Sequence, residues 1–415
     1  MPDLSAYEPL VGASVIEELR TLASHLKGKR IVMVNSTRVG GGVAEILNRM
    51  MPLLTELGIP NRWEIIQGTD PYYRVTKAFH NALHGRQETI TQQMLDLFLE
   101  TGRMNAERMT LDEELVFIHD PQPITLVEQR KRFPNSHWIW RCHIDVSRPN
   151  QTVWNFLKPY IQQYEAGIYS APAFVQKMDM RQVLVAPSID PLSDKNRDLS
   201  KEEIDSVMER LGIPRDIPIV TQVSRFDYLK DPVGVVQAFR RARKWAKCRL
   251  VLAGGTATDD PEGEQVLAEV RAHAGKDPEI HLLLLPPNSD VEINALQRAS
   301  AVVLQKSLRE GFGLTVSEAL WKARPLIASA VGGIPLQVKH GYNGLLVHSV
   351  EGCAQAIKQL INNPDYAERL AQNGREHVRQ HFLLTRHIRD YLLLCTTMGT
   401  TSDMVSLENC SIPAA

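Results

Sequence analysis

The stretch RIVMVNSTRVGGGVAEIL, residues 30–47, contains the pattern that decides the fold. Its first seven residues, RIVMVNS, contain the continuous apolar run IVMV, which predicts a buried strand of a parallel sheet. A glycine triplet follows, and apolar residues then recur at helical spacing from Val43 until Gly58 ends the helix. A strand, a glycine-rich turn and a helix in this order are the repeating unit of an α/β fold.

Two series of such units run along the chain. In the first series, further strands are predicted at RWEII, ELVFIHD, HWIWRCHID and QVLVAPSID. The second opens at IPIVTQVSRFD, residues 217–227, and continues through CRLVLAGG, IHLLLLPP, SAVVLQKS, RPLIASAVGG and NGLLVHS. The sequence therefore predicts two doubly wound, Rossmann-like α/β domains that face each other across a cleft, with ligands at the carboxyl ends of the strands.

A polar segment separates the two series. APSIDPLSDKNRDLSKEE, residues 186–203, is rich in Pro, Ser, Asp and Lys, a composition typical of a hinge. We expect an N-terminal domain over 1–187 and a C-terminal domain over 188–380. A closing helix over 381–395 should pack back toward the N-terminal domain, and 396–415 should form a flexible tail.

Composition excludes several classes of protein. The 415 residues include 47 Lys plus Arg and 48 Asp plus Glu, so the net charge of -1 gives no field that attracts nucleic acid or an anionic membrane. The five cysteines form no C-x-x-C pair, which argues against a disulfide framework and a zinc site. Because the chain lacks a secretory leader and any apolar run near 18 residues, we expect a cytoplasmic protein.

The glycine triplet is the first candidate binding element. Gly41 and Gly42 open a helix directly after a strand, where backbone N–H groups can approach a phosphate. Glu45 occupies the third glycine position of the dinucleotide fingerprint, and no G-K-[ST] follows, so a nicotinamide site and a Walker loop are both disfavoured. A tight turn without a ligand explains the triplet equally well.

Two cations follow the first strand of the second series. Arg225 and Lys230 lie five residues apart in VSRFDYLKDP, and together they could neutralise a diphosphate without a metal. Each residue alone is better explained as an ordinary surface cation. Their position after a strand favours the binding role.

Polar residues also end two strands of the first series, where side chains of a parallel sheet reach a ligand. We expect these groups to bind a second polyol, although a buried histidine bonded to the backbone explains any one of them nearly as well. They are His119 and Asp120 in VFIHDPQPITL, and Arg141, His143 and Asp145 in WRCHIDVSRPN.

Two carboxylates flank a glycine-rich loop in SLREGFGLTVSEALWKARPLIAS, residues 307–329. Thr315 and Glu318 fit a capping box, which would explain Glu318 alone as a helix-capping residue. Glu310 lies outside that box. Because carboxylates accept hydrogen bonds only, and a sugar or ribose offers adjacent donors, the pair predicts a clamp for a polyol beside an anion-binding helix N-terminus.

Together these motifs resemble the retaining glycosyltransferases of family 4, which have the GT-B architecture. The family signature is a Glu, seven intervening residues and a second Glu, here Glu310 and Glu318. The resemblance implies that Glu310 contacts the donor sugar, Glu318 the nucleotide ribose, and His143 the reacting sugars. It further implies a donor site that includes Gly41, Gly42, Arg225, Lys230, Gly311, Phe312, Gly313 and Leu314.

More narrowly, VNSTRVGGGVAEIL, FHNALHG, FIHDPQP and WRCHIDVSRPN are similar to segments of trehalose synthases and retaining trehalose phosphorylases. This resemblance implies transfer of glucose from UDP-glucose or ADP-glucose to free glucose, giving trehalose with retention, reversibly and without a metal or cofactor. It allows a homodimer. A phosphorylase, a transferase with another sugar acceptor, and a sugar-nucleotide-binding regulator without turnover remain as alternatives. The implied catalytic residues are His143, Arg225, Lys230 and Glu310.

Overall fold

The computed structural model describes residues 3–39, 41–255 and 261–398, without the side chains at 261 and 262. The chain divides into two compact units. The N-terminal unit comprises the residues up to Pro187 and the chain from Leu384 onward, and the C-terminal unit is Ser188–Leu383. Gly40 and the tail beyond residue 398, to which two of the predictions refer, lie outside the described residues.

The N-terminal unit contains a parallel six-stranded sheet with the order β2-β1-β3-β4-β5-β6. Its strands are β1 Ile31–Asn35, β2 Asn61–Ile65, β3 Leu115–His119, β4 His137–Cys142, β5 Ala166–Tyr169 and β6 Arg181–Leu184. Its first six helices are α1 Glu8–Val11, α2 Ala13–Ser24, α3 Gly41–Glu56, α4 Asp70–Leu83, α5 Gln92–Arg108 and α6 Gln151–Ile161. Short 3-10 helices span Leu4–Tyr7, Ile124–Arg132 and Pro172–Phe174.

The C-terminal unit contains a second parallel six-stranded sheet with the order β12-β11-β10-β7-β8-β9. Its strands are β7 Ile219–Val223, β8 Arg249–Gly254, β9 Ile280–Leu284, β10 Val302–Gln305, β11 Leu326–Ser329 and β12 Leu345–Val347. Its helices are α7 Lys201–Arg210, α8 Pro232–Ala242, α9 Pro261–Ala274, α10 Asp290–Ala299, α11 Leu314–Trp321, α12 Ile334–Gln337, α13 Val350–Asn362 and α14 Pro364–His381, with a 3-10 helix at Tyr228–Lys230.

The last described helix, α15 Leu384–Thr397, returns to the N-terminal unit. The ring of Tyr391 packs on Phe117 of β3 with centroids 5.3 Å apart, and Arg386 donates a hydrogen bond of 2.8 Å to the carbonyl of Ala186. The chain therefore enters the C-terminal unit after Pro187 and leaves it before Leu384.

These sheets confirm the predicted fold class of two doubly wound α/β domains. The pattern works because strands such as β1 and β3 are buried along their whole length and therefore read as continuous apolar runs. Counted within the unit, the C-terminal sheet has the 3-2-1-4-5-6 order of dinucleotide-binding folds, whereas the N-terminal sheet has the 2-1-3-4-5 order extended by a sixth strand.

The strand order locates the switch point of each sheet, where the chain reverses its direction of winding. In the N-terminal unit it lies between β1 and β3, and in the C-terminal unit between β7 and β10. Ligands of open α/β sheets bind beside the carboxyl ends of the strands at such points. The segments after β1, β3, β7 and β10 are therefore where a binding site is expected.

The boundary between the two units, after Pro187, lies within the predicted hinge segment 186–203. Ser188, Ile189 and Asn196 are buried, and Ile189 donates its backbone N–H to the carbonyl of Phe382 over 2.9 Å. The side chain of Asn294 in α10 also donates to the carbonyl of Asp194. Backbone groups of the part after Pro187 are thus hydrogen-bonded within the C-terminal unit, and the hinge stays a prediction.

No helix in the described ranges has both the length and the apolar character that a bilayer crossing requires.

Candidate active site

The strongest pairing of predicted residues lies at the switch point of the C-terminal sheet. Lys230 ends the 3-10 helix after β7, and Glu310 follows β10. The ammonium Nζ of Lys230 lies 2.6 Å from Oε2 of Glu310, and the two side chains are 18% and 9% exposed. The structure thus joins two residues that are 80 positions apart in the sequence.

Two neutral donors complete the environment of the Glu310 carboxylate. Gln305 Nε2 and Ser307 Oγ donate to the same Oε2 atom over 3.0 and 3.1 Å. Burial opposes ionisation of Glu310, but the charge of Lys230 and these hydrogen bonds outweigh it, so the pKa of Glu310 lies below its usual value. The group is therefore an ionised acceptor at neutral pH.

The backbone of Lys230 is also held in place. The amide of Gln222, a buried residue of β7, donates to the carbonyl of Lys230 over 2.9 Å and accepts the N–H of Lys306 over 3.0 Å. Asp231 adopts a left-handed conformation with φ 47°, accepts the N–H of Gly234 to cap α8, and forms an ion pair with Lys306. These contacts fix the loop that presents Lys230.

A second glycine-rich loop packs against the Glu310 segment. Gly332 has φ 55°, and a Cβ atom there would overlap the carbonyl oxygen of Glu310. The N–H of Gly333 donates to the carbonyl of Gly311 over 3.1 Å, and a Cβ at Gly333 would lie 2.6 Å from that oxygen. Only glycine permits this close approach of the two backbones.

The loop between the two glutamates ends at Gly313, which has φ 81° and precedes α11. Phe312 is buried, and its carbonyl accepts a hydrogen bond of 2.6 Å from Gln337. Leu314 is the first residue of α11. The predicted donor residues from Gly311 to Leu314 thus form one contiguous turn whose backbone is fixed by Gln337.

The predicted capping box is wrong. Helix α11 begins at Leu314 with Gly313 at its N-cap, and no side chain caps it, so Thr315 lies inside the helix. Glu318 is buried, and its Oε2 accepts a hydrogen bond of 3.3 Å from the side-chain amide of Gln297. The side-chain oxygen of Gln297 in turn accepts a hydrogen bond of 2.6 Å from Lys322. The capping explanation for Glu318 is therefore removed.

Arg225 is placed differently from its predicted partner Lys230. Its side chain is 56% exposed, and Nη2 lies 3.5 Å from Oδ2 of Asp227. Among the interactions that the structure records for Arg225, none joins it to Lys230 or Glu310. Arg225 is thus available to an anion after β7 but is not fixed by a network.

The predicted phosphate-binding glycines lie at the start of α3, after β1. Gly41 is exposed and has φ 79°, and a Cβ atom built on it would contact no atom within 4 Å. Gly42 is partly buried. The positive φ explains glycine at position 41, so this observation fits both a tight turn and a phosphate loop.

At the switch point of the N-terminal sheet, the structure brings His119 and His143 together. His119 Nδ1 and His143 Nε2 are 3.0 Å apart, and His119 Nε2 lies 3.3 Å from the sulfur of Met33 in β1. His119 is 2% exposed and has both ring nitrogens engaged, whereas His143 is partly exposed. His119 therefore offers no free ring atom to a sugar, although it was predicted to bind one.

Asp120 joins the two strand ends. It has φ 63°, its N–H donates to the carbonyl of Arg141, and its Oδ1 accepts the N–H of His143, both over 2.8 Å. Burial raises the pKa of Asp120 to about 7, against the opposing effects of the His143 N–H and of Arg141. Asp120 thus fixes the backbone that presents His143.

Arg141 and Asp145 are both buried. Arg141 has no exposed surface, donates to Ser170 Oγ over 3.3 Å, and has its pKa lowered by burial. Asp145 is 4% exposed and accepts the N–H of Ser147 over 3.0 Å in a local turn. Nε and Nη1 of Arg141 form no hydrogen bond with any residue that the structure describes, so binding of a polyol by Arg141 and Asp145 stays a prediction.

Sequence reasoning missed the polar residues that support the predicted ones: Gln222, Gln297, Gln305, Lys306, Ser307 and Gln337. A signal existed for three of them, because Gln305, Lys306 and Ser307 stand at the carboxyl end of β10. The same criterion of strand-end polarity singled out His119 and Asp120. The other three had no such signal, because Gln222 lies inside β7 and Gln297 and Gln337 lie in the helices α10 and α12.

Comparison with family models divides the chain in the same way. Residues 33–176 match the model described as "Trehalose synthase, N-terminal domain", and residues 203–377 match "Glycosyl transferases group 1".

Curated relatives match over nearly the whole chain. A trehalose synthase of Thermococcus litoralis is 43% identical over 94% of this chain and 95% of its own, and one of Pyrococcus horikoshii is 40% identical over 95% and 96%. A trehalose phosphorylase of Pleurotus pulmonarius is 29% identical over 91% of this chain but only 58% of its own.

Among solved structures, similar folds occur at low identity. A sucrose-phosphate synthase of Thermosynechococcus elongatus superposes with a TM-score of 0.71 at 18% identity, over 88% of this chain and 98% of its own. An α,α-trehalose-phosphate synthase of Burkholderia vietnamiensis superposes with a TM-score of 0.69 at 16% identity, over 89% and 98%. These similarities show the GT-B fold alone.

Proposed function

Because the chain belongs to the trehalose synthase family of glycosyltransferases, we propose that it transfers glucose from a nucleoside diphosphate glucose to free glucose. The product is α,α-trehalose, formed with retention at the anomeric carbon of the donor, and the reaction is reversible. The nucleotide sugar is a substrate, and the proposal needs neither a metal nor a cofactor.

The observation that carries the proposal is the buried ion pair of Lys230 and Glu310 at the switch point of the C-terminal sheet. In a bond cleavage that releases a diphosphate, negative charge grows on the leaving group. The ammonium of Lys230 can stabilise that charge while it keeps its contact with Glu310, and Arg225 adds a mobile guanidinium after the same strand. A preorganised donor of this kind contributes about 3 to 4 kcal/mol to transition-state stabilisation.

Glu310 and Glu318 serve the polyol parts of the donor in this proposal. Glu310 is ionised and can accept hydrogen bonds from sugar hydroxyls, while Lys230, Gln305 and Ser307 keep its carboxylate oriented. Glu318, freed from a capping role, is assigned to the ribose hydroxyls. The turn Gly311–Leu314 then lines the donor between them.

His143 and Asp120 serve the reacting sugars. Asp120 holds the backbone of His143, whose ring is partly exposed. No carboxylate is assigned beneath the anomeric carbon, so we propose a front-face reaction. In it the C–O bond to the diphosphate breaks, the acceptor oxygen bonds to the anomeric carbon, and the departing phosphate oxygen takes the acceptor proton.

We also propose that the protein functions in a reducing cytoplasm. Cys142, Cys248, Cys353 and Cys395, the cysteines that the structure describes, are buried free thiols, which suits such a compartment.

The test is a direct assay of turnover. Purified protein is incubated with glucose and either UDP-glucose or ADP-glucose, and in parallel with trehalose and orthophosphate. We expect trehalose and a nucleoside diphosphate in the first mixture. Turnover only with trehalose and phosphate would make the protein a phosphorylase, and tight donor binding without product would make it a non-catalytic regulator.

A further inference from the structure

The two histidines at the switch point of the N-terminal sheet meet through their ring edges. The rings of His119 and His143 are inclined by only 14°, and their centroids are 5.3 Å apart. The centroid separation is close to the sum of the 3.0 Å between His119 Nδ1 and His143 Nε2 and the distance from the centroid to the nitrogen in each of the two rings. The nitrogens therefore point at each other in the common plane, which is the geometry of a hydrogen bond through an in-plane lone pair.

A hydrogen bond between two imidazole nitrogens needs one proton and one lone pair. Burial, reinforced by Arg141, lowers the pKa of His119 to about 3, and burial also places the pKa of His143 well below its usual value. Both rings are thus neutral at physiological pH, and each carries one proton. Two arrangements remain, which differ in the ring that donates.

The sulfur of Met33 decides between them. A thioether sulfur accepts hydrogen bonds weakly and cannot donate, and it lies 3.3 Å from His119 Nε2. If Nε2 of His119 carries the proton, it donates to Met33, and Nδ1 is left to accept from His143 Nε2–H. The opposite arrangement would turn the lone pairs of His119 Nε2 and Met33 toward each other in a buried site.

We propose that His119 is a positioning residue which, with Met33, holds His143 in the tautomer that has its proton on Nε2 and a bare lone pair on Nδ1. Among the residues that the structure describes, none forms a hydrogen bond with Nδ1 of His143. On the proposed function, this atom accepts a hydrogen bond from a hydroxyl of a substrate sugar. A bare lone pair attracts a hydroxyl and repels a phosphate oxygen, so the ring selects the sugar rather than the diphosphate.

The tautomer is measured first, because this readout does not depend on activity. Protein labelled with nitrogen-15 in histidine is examined by imidazole correlation spectra, with the His143 signals assigned by their loss in His143→Gln. We expect a protonated Nε2 and a bare Nδ1 for both rings, unchanged between about pH 6 and about pH 8. A proton on Nδ1 of His143, or a titration of either ring in that range, would overturn the proposal.

Substitutions then test whether the contact matters to the reaction. His119→Asn keeps an acceptor oxygen for His143 Nε2–H, whereas His119→Phe removes it. We expect His119→Phe to lower kcat/KM about tenfold, the value of one neutral hydrogen bond, and to show mixed His143 tautomers, while His119→Asn restores both readouts. Equal kcat/KM in the two variants, or an unchanged His143 tautomer in His119→Phe, would contradict the proposal.

Two further variants keep the test interpretable. Met33→Leu removes the sulfur with little change in volume and should loosen the tautomer preference of His119 even if His119→Phe does not fold. His137→Asn is the matched control, since His137 starts the same strand β4 but pairs with Glu165 over 2.8 Å. It should leave both the His143 spectrum and kcat/KM unchanged. If no sugar transfer is found at all, the spectra still decide the tautomer separately from the proposed function.

Discussion

Replacement of Lys230 by methionine should destabilise the C-terminal unit as well as stop turnover. The change removes the ammonium but keeps most of the side-chain volume, so among the described residues Gln305 and Ser307 remain as the donors to the buried carboxylate of Glu310. Loss of one partner of a fully buried ion pair costs about 3 to 5 kcal/mol. Because Lys230 is 18% exposed and two donors remain, we expect about 2 to 3 kcal/mol.

The pH dependence makes this prediction specific. In the native protein the pKa of Glu310 is lowered, so its contribution to stability is present above the ordinary carboxyl pKa and is lost as the pH falls. In Lys230→Met the effect of burial becomes dominant, so the pKa of Glu310 rises above the ordinary carboxyl pKa. The ionised carboxyl then destabilises the fold increasingly as the pH rises above that ordinary pKa. The loss in Tm should therefore be largest near about pH 8 and shrink toward about pH 5.

The assay is thermal unfolding of four proteins across this pH range: the native chain, Lys230→Met, Glu310→Gln and the double variant. At about 2 to 4 °C per kcal/mol for a domain of this size, Lys230→Met should lose about 4 to 12 °C near pH 8. The double variant should regain most of that stability but no turnover. A loss that is the same at both pH values, or a double variant no more stable than Lys230→Met, would refute the electrostatic reasoning.

Three other predictions concern different parts of the molecule. Glu318→Gln should raise the KM for the nucleotide sugar about tenfold with little change in Tm, because a glutamine oxygen can still accept the buried amide that now donates to Glu318; an unchanged KM would remove the ribose assignment. Gly332→Ala should lower the free energy of unfolding by more than about 2 kcal/mol and impair turnover, since its Cβ would overlap the carbonyl of Glu310. The control is Gly341→Ala, which also has a positive φ but whose Cβ would lie 3.8 Å from its nearest neighbour. It should cost about 1 to 2 kcal/mol in denaturant unfolding. Burial holds the pKa of His387 well below its usual value, so stability is lost as the pH falls below about 6.5, and His387→Gln should reduce that loss in urea titrations.

Most of the fold could be predicted because most of its strands are buried and apolar. The exception is β5 Ala166–Tyr169, which sequence reasoning did not predict. This strand has four residues, includes a glycine, and follows the apolar positions of α6 after a short turn. A run of that length carries too little periodicity to be separated from the end of the preceding helix.

The error at α11 has a local cause. A Thr and a Glu three residues apart predicted an N-cap at Thr315, but Gly313 can adopt φ 81° and ends the loop two residues earlier. The helix therefore starts at Leu314, and Glu318 turns inward to Gln297. Propensity for a capping side chain was overridden by the glycine that the loop requires.

The candidate site was predicted in part. Strand-end position and residue type selected Lys230 and His143, whereas Glu310 was selected as one of two carboxylates that flank a glycine-rich loop. They could not show that Gln222 would hold the carbonyl of Lys230 after the turn that follows β7, or that Met33 would face His119 once β1 and β3 pair. The spacing of residues along the sequence carries no information on such contacts.

The strand orders of the two sheets bear on how this chain originated. In the N-terminal sheet, with the order β2-β1-β3, the third strand lies beside the first strand. In the C-terminal sheet, which has the order 3-2-1-4 when counted from its own first strand, the third strand lies beside the second. Tandem duplication of one ancestral half would have produced identical orders. The two sheets therefore do not repeat one topology, and their strand orders give no support to a simple tandem duplication of one half.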